Sequence, residues 1–171
     1  WTPTFSTSAQ TKAITAATGG QGSVTYAIKS QKNSSGTAVT NFTLSGTTVT
    51  MAASTSVGTY TVVITATAAG NSNYNSGSKD ITLNVTVGKA TNPISITSPQ
   101  SWTPTFSTSA QTKAITGATG GQGSVTYAIK SQKNSSGTAV TNFTLSGTTV
   151  TMAASTSVGT YTVVITATAA G

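Results

Sequence analysis

The chemistry open to this chain depends on its few ionisable residues. Among 171 residues, Asp80 is the single acid and all eight basic residues are Lys, while Glu, Arg, His and Cys are absent. General acid–base catalysis and paired-carboxylate mechanisms draw on His, Glu or a second Asp. Zinc needs Cys, His or clustered acids, and calcium needs several oxygen ligands. We therefore predict that the chain is not an enzyme and that it has no catalytic residue, no metal site and no cofactor.

The lysines are scattered along the chain and give it a net charge of +7. Nucleic-acid binders concentrate Lys and Arg on one face and interleave aromatic residues. We therefore predict no nucleic-acid partner and interpret the charge as an aid to solubility. A Ser–Lys dyad could use Lys29 or Lys32, but a lysine base must be buried to lose its proton. Lys29 alternates away from the apolar face of its predicted strand, and Lys32 falls in a predicted loop.

A self-made cross-link is the other chemistry that lysine offers. An intramolecular isopeptide bond joins Lys to Asn beside a buried acid, and Asp80 with Lys79 or Lys12 and a nearby Asn is the set that could form one. Alternation with Ile81 and Leu83, however, puts Asp80 on the polar face of its strand. An exposed acid near a lysine, with a structural role, is the simpler interpretation.

An internal repeat dominates the organisation of the sequence. Residues 1–70 recur at 102–171, so that each has a counterpart 101 positions later, and the one mismatch is Ala16 against Gly117. This period is too long for a solenoid unit of about 20–50 residues. It matches an immunoglobulin-like sandwich of roughly 100 residues with about seven strands. We therefore predict tandem immunoglobulin-like β-sandwiches.

Alternation of apolar and polar residues predicts strands throughout, and no segment shows a helical period. Three longer strands are predicted around Val24–Tyr26–Ile28, around residues 60–68 and around residues 81–87. Shorter strands are predicted at residues 12–16, 41–45, 48–52 and 93–97. Glycine-rich pieces between them supply turns. The predicted fold class is all-β, with no significant helix.

The boundary between the repeats is predicted near Gly88, where the last alternating strand runs into a Pro-containing segment. The predicted domains are residues 1–88 and 89–171. On this division the first repeat lacks its first strand, the counterpart of residues 89–101, and the second lacks its last strand, the counterpart of residues 71–87. Open sandwiches expose unpaired backbone. We therefore expect neighbouring repeats of the same polymer as partners, joined head to tail by strand pairing.

Three aromatic residues are predicted to have structural roles. Tyr60 and Tyr161 open the long penultimate strand of each copy, where a sandwich carries a tyrosine corner whose hydroxyl bonds back to upstream backbone. Trp102, the counterpart of Trp1, follows a turn. Its ring could stack on a sugar, but packing at the repeat edge is the expectation that we favour.

Residues 41–70, followed by residues 73–87, resemble the bacterial immunoglobulin-like and cadherin-like repeats of large cell-surface proteins. The shared pattern is a short apolar strand, a Ser/Thr/Gly turn, the motif G-x-Y-x-φ-x-φ-x-A (φ being apolar) beginning at Gly58, and a final alternating strand. The resemblance implies an extracellular protein attached to a bacterial cell surface. Cadherin-like relatives stiffen their junctions with calcium. Asp80 alone cannot supply the ligands, so this property is not expected here.

Two functions follow as expectations. The first is a structural stalk or spacer, in a surface protein or filament, that projects a functional element away from the cell. The alternative is an adhesive module whose repeats recognise glycan or neighbouring chains. No apolar run approaches the roughly 18 residues of a membrane span, so none is predicted. Without an initiating Met, the chain is expected to be a stretch of a longer protein.

Overall fold

The computed structural model describes all 171 residues and contains eleven strands and no helix, which confirms the all-β prediction. Accordingly, it has no helix that is long and apolar enough to span a membrane. The chain divides into two compact units, unit 1 (Trp1–Ala90) and unit 2 (Thr91–Gly171). The strands of unit 1 are β1 (Gln10–Ala13), β2 (Val24–Asn33), β3 (Phe42–Ser45), β4 (Thr48–Met51), β5 (Gly58–Ala68) and β6 (Gly77–Val87). Those of unit 2 are β7 (Gln111–Ala114), β8 (Val125–Asn134), β9 (Phe143–Ser146), β10 (Thr149–Met152) and β11 (Tyr161–Ala169).

Unit 1 contains two antiparallel three-stranded sheets, in the orders β1-β4-β3 and β2-β5-β6. Strands β3 and β4 form a hairpin with a two-residue turn, and Gly46 takes the positive φ of 55° that such a turn requires. Alternation buries one face of each strand: in β5, Tyr60, Val62, Ile64 and Ala66 are buried. Both sheets contribute to one core, formed by Phe42, Val49, Met51, Tyr60, Val62, Ile64, Val85 and Val87.

The outer edge of β6 is covered by the first residues of the chain. The Thr86 and Gly88 amides donate to the carbonyls of Trp1 and Pro3, both at 2.9 Å, and the Phe5 amide donates to the Gly88 carbonyl at 2.8 Å. Thr4 and Gly88 form a bridge in which the two backbone segments run parallel. Strand β6 therefore has hydrogen-bonded neighbours on both edges.

Unit 2 repeats this plan with one strand fewer. Its sheets are β7-β10-β9 and the two-stranded pair β11-β8. Strands β7 to β10 lie 101 positions after their counterparts, and β11 ends 101 positions after β5 but begins two residues later in the repeat. Its core of buried residues contains Phe143, Val150 and Met152. No strand covers the outer edge of β11, where unit 1 has β6 on the equivalent edge of β5.

Two strand predictions need correction. Residues 93–97 do not form a strand: Ser95 makes a single bridge to Thr119, and Ile94 and Ile96 are exposed. Proline has no amide hydrogen to donate, so Pro93 cannot contribute a donor to a longer ladder. The strand predicted at residues 12–16 lies at Gln10–Ala13 instead. Its ladder does not continue to Ala17, whose amide donates to the hydroxyl of Tyr26.

Candidate functional site

Asp80 lies on the solvent side of β6 and joins the three strands of its sheet. Lys29 Nζ on β2 donates to Asp80 Oδ2 at 2.6 Å, and Thr65 Oγ1 on β5 donates to Asp80 Oδ1 at 2.7 Å. Lys29 stands at a β-bulge, since Ile28 and Ser30 have partners on β5 and Lys29 has none. The hydrogen bond from Lys29, and then that from Thr65, lower the pKa of Asp80 below its ordinary value of 3.8.

The structure does not bring together the residues that an isopeptide cross-link would need. Lys12 lies on β1, in the opposite sheet, and the side chains of both Lys12 and Lys79 are exposed and unbonded to Asp80. The Asp80 side chain is 39% exposed, whereas isopeptide formation needs a buried acid. Lys32 lies in β2 and not in a loop, because the strand continues past the bulge to Asn33. No group of three or more His, Cys, Asp or Glu residues could hold a metal ion.

Tyr60 and Tyr161 make the same two contacts in their respective units. Each hydroxyl donates to a carbonyl four residues upstream, that of Ser56 or Ser157, at 2.8 Å. Each ring packs edge-on against a core phenylalanine, with centroids 5.6 Å apart in unit 1 and 5.5 Å apart in unit 2. These contacts hold the start of β5 and of β11 against the facing sheet.

A glutamine that the sequence analysis did not single out ties the two sheets of unit 1 together. The Gln31 side chain on β2 donates to the Phe42 carbonyl at 3.0 Å and accepts from the Phe42 amide at 2.9 Å. Gln132 and Phe143 repeat both bonds in unit 2. The signal was hidden because the bulge at Lys29 reverses the alternation, so that the periodicity before the bulge assigns Gln31 to the wrong face.

Trp102 is partly buried against the core of unit 2 and lines a groove of about 400 Å³. This groove is lined by residues 102–106, by residues 156–161 and by the core residues Phe143 and Met152. Phe106 is 59% exposed here. A second groove of about 150 Å³ continues along β11, lined by Val163 and Ile165 among others, and it also touches Trp102. We call the two together the edge groove.

The edge groove follows the inner face of β11 along its unpaired edge. Residues 58–68 and 159–169 have the same sequence, yet Tyr60, Val62 and Ile64 are buried, while their unit 2 counterparts are partly exposed. Strand β6 covers these three side chains in unit 1, and unit 2 has no equivalent strand beside β11. The edge groove is therefore the place in unit 2 that corresponds to β6.

Unit 1 has a smaller pocket at a different place, of about 260 Å³ and lined by Gly20, Val24 and Ala68 among others. In unit 2, Ile94 lies beside Gly121, the counterpart of Gly20. The segment around Ile94 thus lies where unit 1 has a pocket, just as β6 lies where unit 2 has the edge groove. Each unit contains the segment that the other lacks.

Comparisons with protein-family models, with curated protein sequences and with solved structures give no match to this chain.

Proposed function

We propose that this chain is a stretch of a structural stalk, in which each period of 101 residues is one immunoglobulin-like module of an extracellular surface protein. The observation that carries the proposal is the near identity of the two copies, which differ at one of 70 aligned positions, exposed residues included. Copies of a binding module are free to diverge on their surfaces toward different ligands. A spacer changes its length by whole repeats while its chemistry stays constant.

The strand order of unit 1 supports the immunoglobulin-like assignment. In a constant-type immunoglobulin fold, a sheet of strands A, B, E and D faces a sheet of strands C, F and G. Strands β1, β4 and β3 take the places of B, E and D, and β2, β5 and β6 those of C, F and G. Residues 1–5 run beside β6 as a first strand does when it changes sheets. The Tyr60 hydroxyl bond to Ser56 matches the tyrosine corner at the start of strand F.

The surface chemistry supports a passive role. The exposed residues of β2 and β6 are mainly Thr, Ser, Asn and Lys, and only 5% of all residues are charged. The single carboxylate is engaged by Lys29 and Thr65, so no acid is available as a catalytic base or metal ligand. We assign the chain to the outside of a bacterial cell on its resemblance to surface-protein repeats.

Small-angle X-ray scattering on chains of two, four and six whole periods tests the spacer role. We expect the maximum dimension to grow by a constant increment per period, because a spacer must hold its ends apart. Growth closer to the square root of the number of periods would indicate a flexible string and contradict the proposal.

A glycan array separates the spacer from the adhesive alternative. We expect no glycan class to bind the chain. The most exposed aromatic ring outside the edge groove is that of Tyr74, at 62%. Binding of one glycan class that is lost in Tyr74→Ala would replace the spacer by an adhesive module.

A further inference from the structure

Five asparagines stand in the sequence Asn-x-Ser/Thr, the sequon in which asparagine can carry an N-linked sugar. They are Asn33, Asn41 and Asn84 in unit 1 and Asn134 and Asn142 in unit 2. A transferase must bind all three residues of a sequon, so the backbone and the middle side chain have to be accessible to it. The fold divides the five sequons into two classes by this criterion.

In three sequons the middle residue belongs to the core. Phe42, which follows Asn41, is 2% exposed, and Val85, which follows Asn84, is 0% exposed. Phe143 repeats the first case in unit 2, at 7%. The backbone of these middle residues is also paired within β3, β6 and β9. A transferase could bind these sequons only after the strand had left the core, and such an opening has a high free energy.

The sequon at Asn33 leads into an exposed turn instead. Asn33 is the last residue of β2, and residues 34–38 lie outside the strands and are all exposed. Gly36 takes a positive φ of 78°, which lets the chain reverse its direction. Asn134, with residues 135–139, repeats the arrangement in unit 2. The middle serine and the serine that completes the sequon are therefore open to solvent in both units.

The asparagine side chain in this turn is held by its oxygen, and its nitrogen is free. The amides of Ser35 and Thr37 donate to Asn33 Oδ1 at 3.1 and 2.9 Å. The same two bonds hold Asn134, at 3.1 and 3.0 Å. Because backbone amides only donate, the atom that they contact must be the oxygen. Neither Nδ2 donates a hydrogen bond within the chain, so it can exchange a hydrogen for a sugar without breaking a bond of the fold.

We propose that Asn33 and Asn134 are sites of N-linked glycosylation on the folded chain and that the other three sequons are not. The reaction joins Nδ2 to C1 of a sugar that is supplied on a phosphate-activated donor. The C1–O bond to the phosphate breaks, the phosphate leaves with the electron pair, and one Nδ2 proton passes to a base of the transferase. Each module then carries one sugar at the same turn, whether or not the chain serves as a spacer.

Rates of sugar transfer to the folded 171-residue chain test the site. The reagents are a soluble N-glycosyltransferase and its nucleotide-activated hexose, and mass spectrometry of the digested chain locates each added hexose. Short peptides of residues 30–38, 39–46 and 81–88 give the rate at each kind of sequon without the fold. The quantity compared is the rate at a sequon in the chain divided by the rate of its peptide.

This ratio should differ sharply between the two classes. At Asn33 and Asn134 we expect it within about threefold of one, because the turn is already exposed. At the other three sequons we expect it at least ~100-fold lower, because the strand must first leave the core. A ratio at Asn33 no higher than that at Asn41 would overturn the proposal. So would a chain that stays unmodified under conditions in which the peptide of residues 30–38 is modified.

Two hydroxyl deletions in the same turn test whether the sequon itself is recognised. Ser35→Ala removes the hydroxyl that completes the sequon and keeps the backbone amide that holds Asn33. Thr37→Ala removes a hydroxyl two residues later and likewise keeps its amide. We expect Ser35→Ala to abolish modification at Asn33 and Thr37→Ala to leave its rate within about twofold, as for surface substitutions generally. Asn134 is the internal standard in both variants, and equal losses in the two would overturn the assignment.

A nucleotide sugar and a lipid-linked sugar would form the same bond, and secretion from a cell that uses a lipid-linked donor tests the second source. We expect the exported chain to carry sugar at Asn33 and Asn134 alone, because the fold selects these two. Sugar at Asn41 or Asn84 of the exported chain would show that addition precedes folding and would overturn selection by the fold.

Discussion

Truncating the same valine in the two units, as Val62→Ala or Val163→Ala, should cost unequal free energies of unfolding. Val62 is 0% exposed beneath β6, and its truncation leaves a closed cavity. Losing two buried methyl groups costs about 1.6 kcal/mol in transfer free energy. With the cavity included, we expect about 2–3 kcal/mol. Val163 lines the open edge groove, so solvent fills the space it leaves, and we expect about 1 kcal/mol.

Tryptophan fluorescence can follow each unit separately during urea unfolding. Trp1 packs against the core of unit 1 and Trp102 against that of unit 2, and they are the only two tryptophans. In a Trp102→Phe background the remaining Trp1 follows the unfolding of unit 1 and so measures the effect of Val62→Ala. In a Trp1→Phe background the remaining Trp102 follows the unfolding of unit 2 and so measures the effect of Val163→Ala. Costs that agree within about 0.5 kcal/mol, the scatter expected for ordinary additivity, would refute the argument that β6 makes the difference.

Four further outcomes are expected. Gln31→Ala should cost about 1–3 kcal/mol, since it leaves the part-buried amide and carbonyl of Phe42 without partners, and a loss under ~0.5 kcal/mol in urea unfolding would mean that water replaces the side chain. Tyr60→Phe should cost about 1 kcal/mol by removing the hydroxyl bond to Ser56 while keeping the ring, and an unchanged midpoint would contradict this. Because the pKa of Asp80 is lowered on folding, its stabilising effect is present above the ordinary value of 3.8 and is lost as the pH falls through the folded-state pKa. Asp80→Asn should thus lower the melting temperature slightly at pH 7 and by less at acid pH, and a difference that is the same at both pH values would argue against the ion pair as its cause. A chelator should not move the melting temperature, because one carboxylate cannot hold a hard cation, and a drop of several degrees would count against this.

Local alternation predicted the long strands well because it depends only on neighbouring residues. The pattern through Val24, Tyr26 and Ile28 matches β2 up to its bulge, and Asp80 lies on the outer face that alternation gives it. Residues 93–97 show the same apolar alternation and form no strand. A strand needs a partner that bonds its backbone along its length, and sequence periodicity does not report whether one is present.

The parts of the candidate site that sequence could not supply depend on contacts across strands. The bulge at Lys29 exists only relative to β5, and it brings that lysine to Asp80 and turns Gln31 toward Phe42. Neither contact has a signal in the spacing of the residues, which are 51 and 11 positions apart.

The amino-acid sequence by itself determined the strand pattern, the repeat and the scarcity of ionisable groups, because these are properties of the residues and their order. The tertiary structure decided which strands pack side by side and, through that packing, how far each apolar side chain is buried. Residues 58–68 and 159–169 are the same eleven residues, but Val62 is buried and Val163 is not. Burial is set by the strand that packs alongside, and β5 has β6 as that neighbour whereas β11 has none.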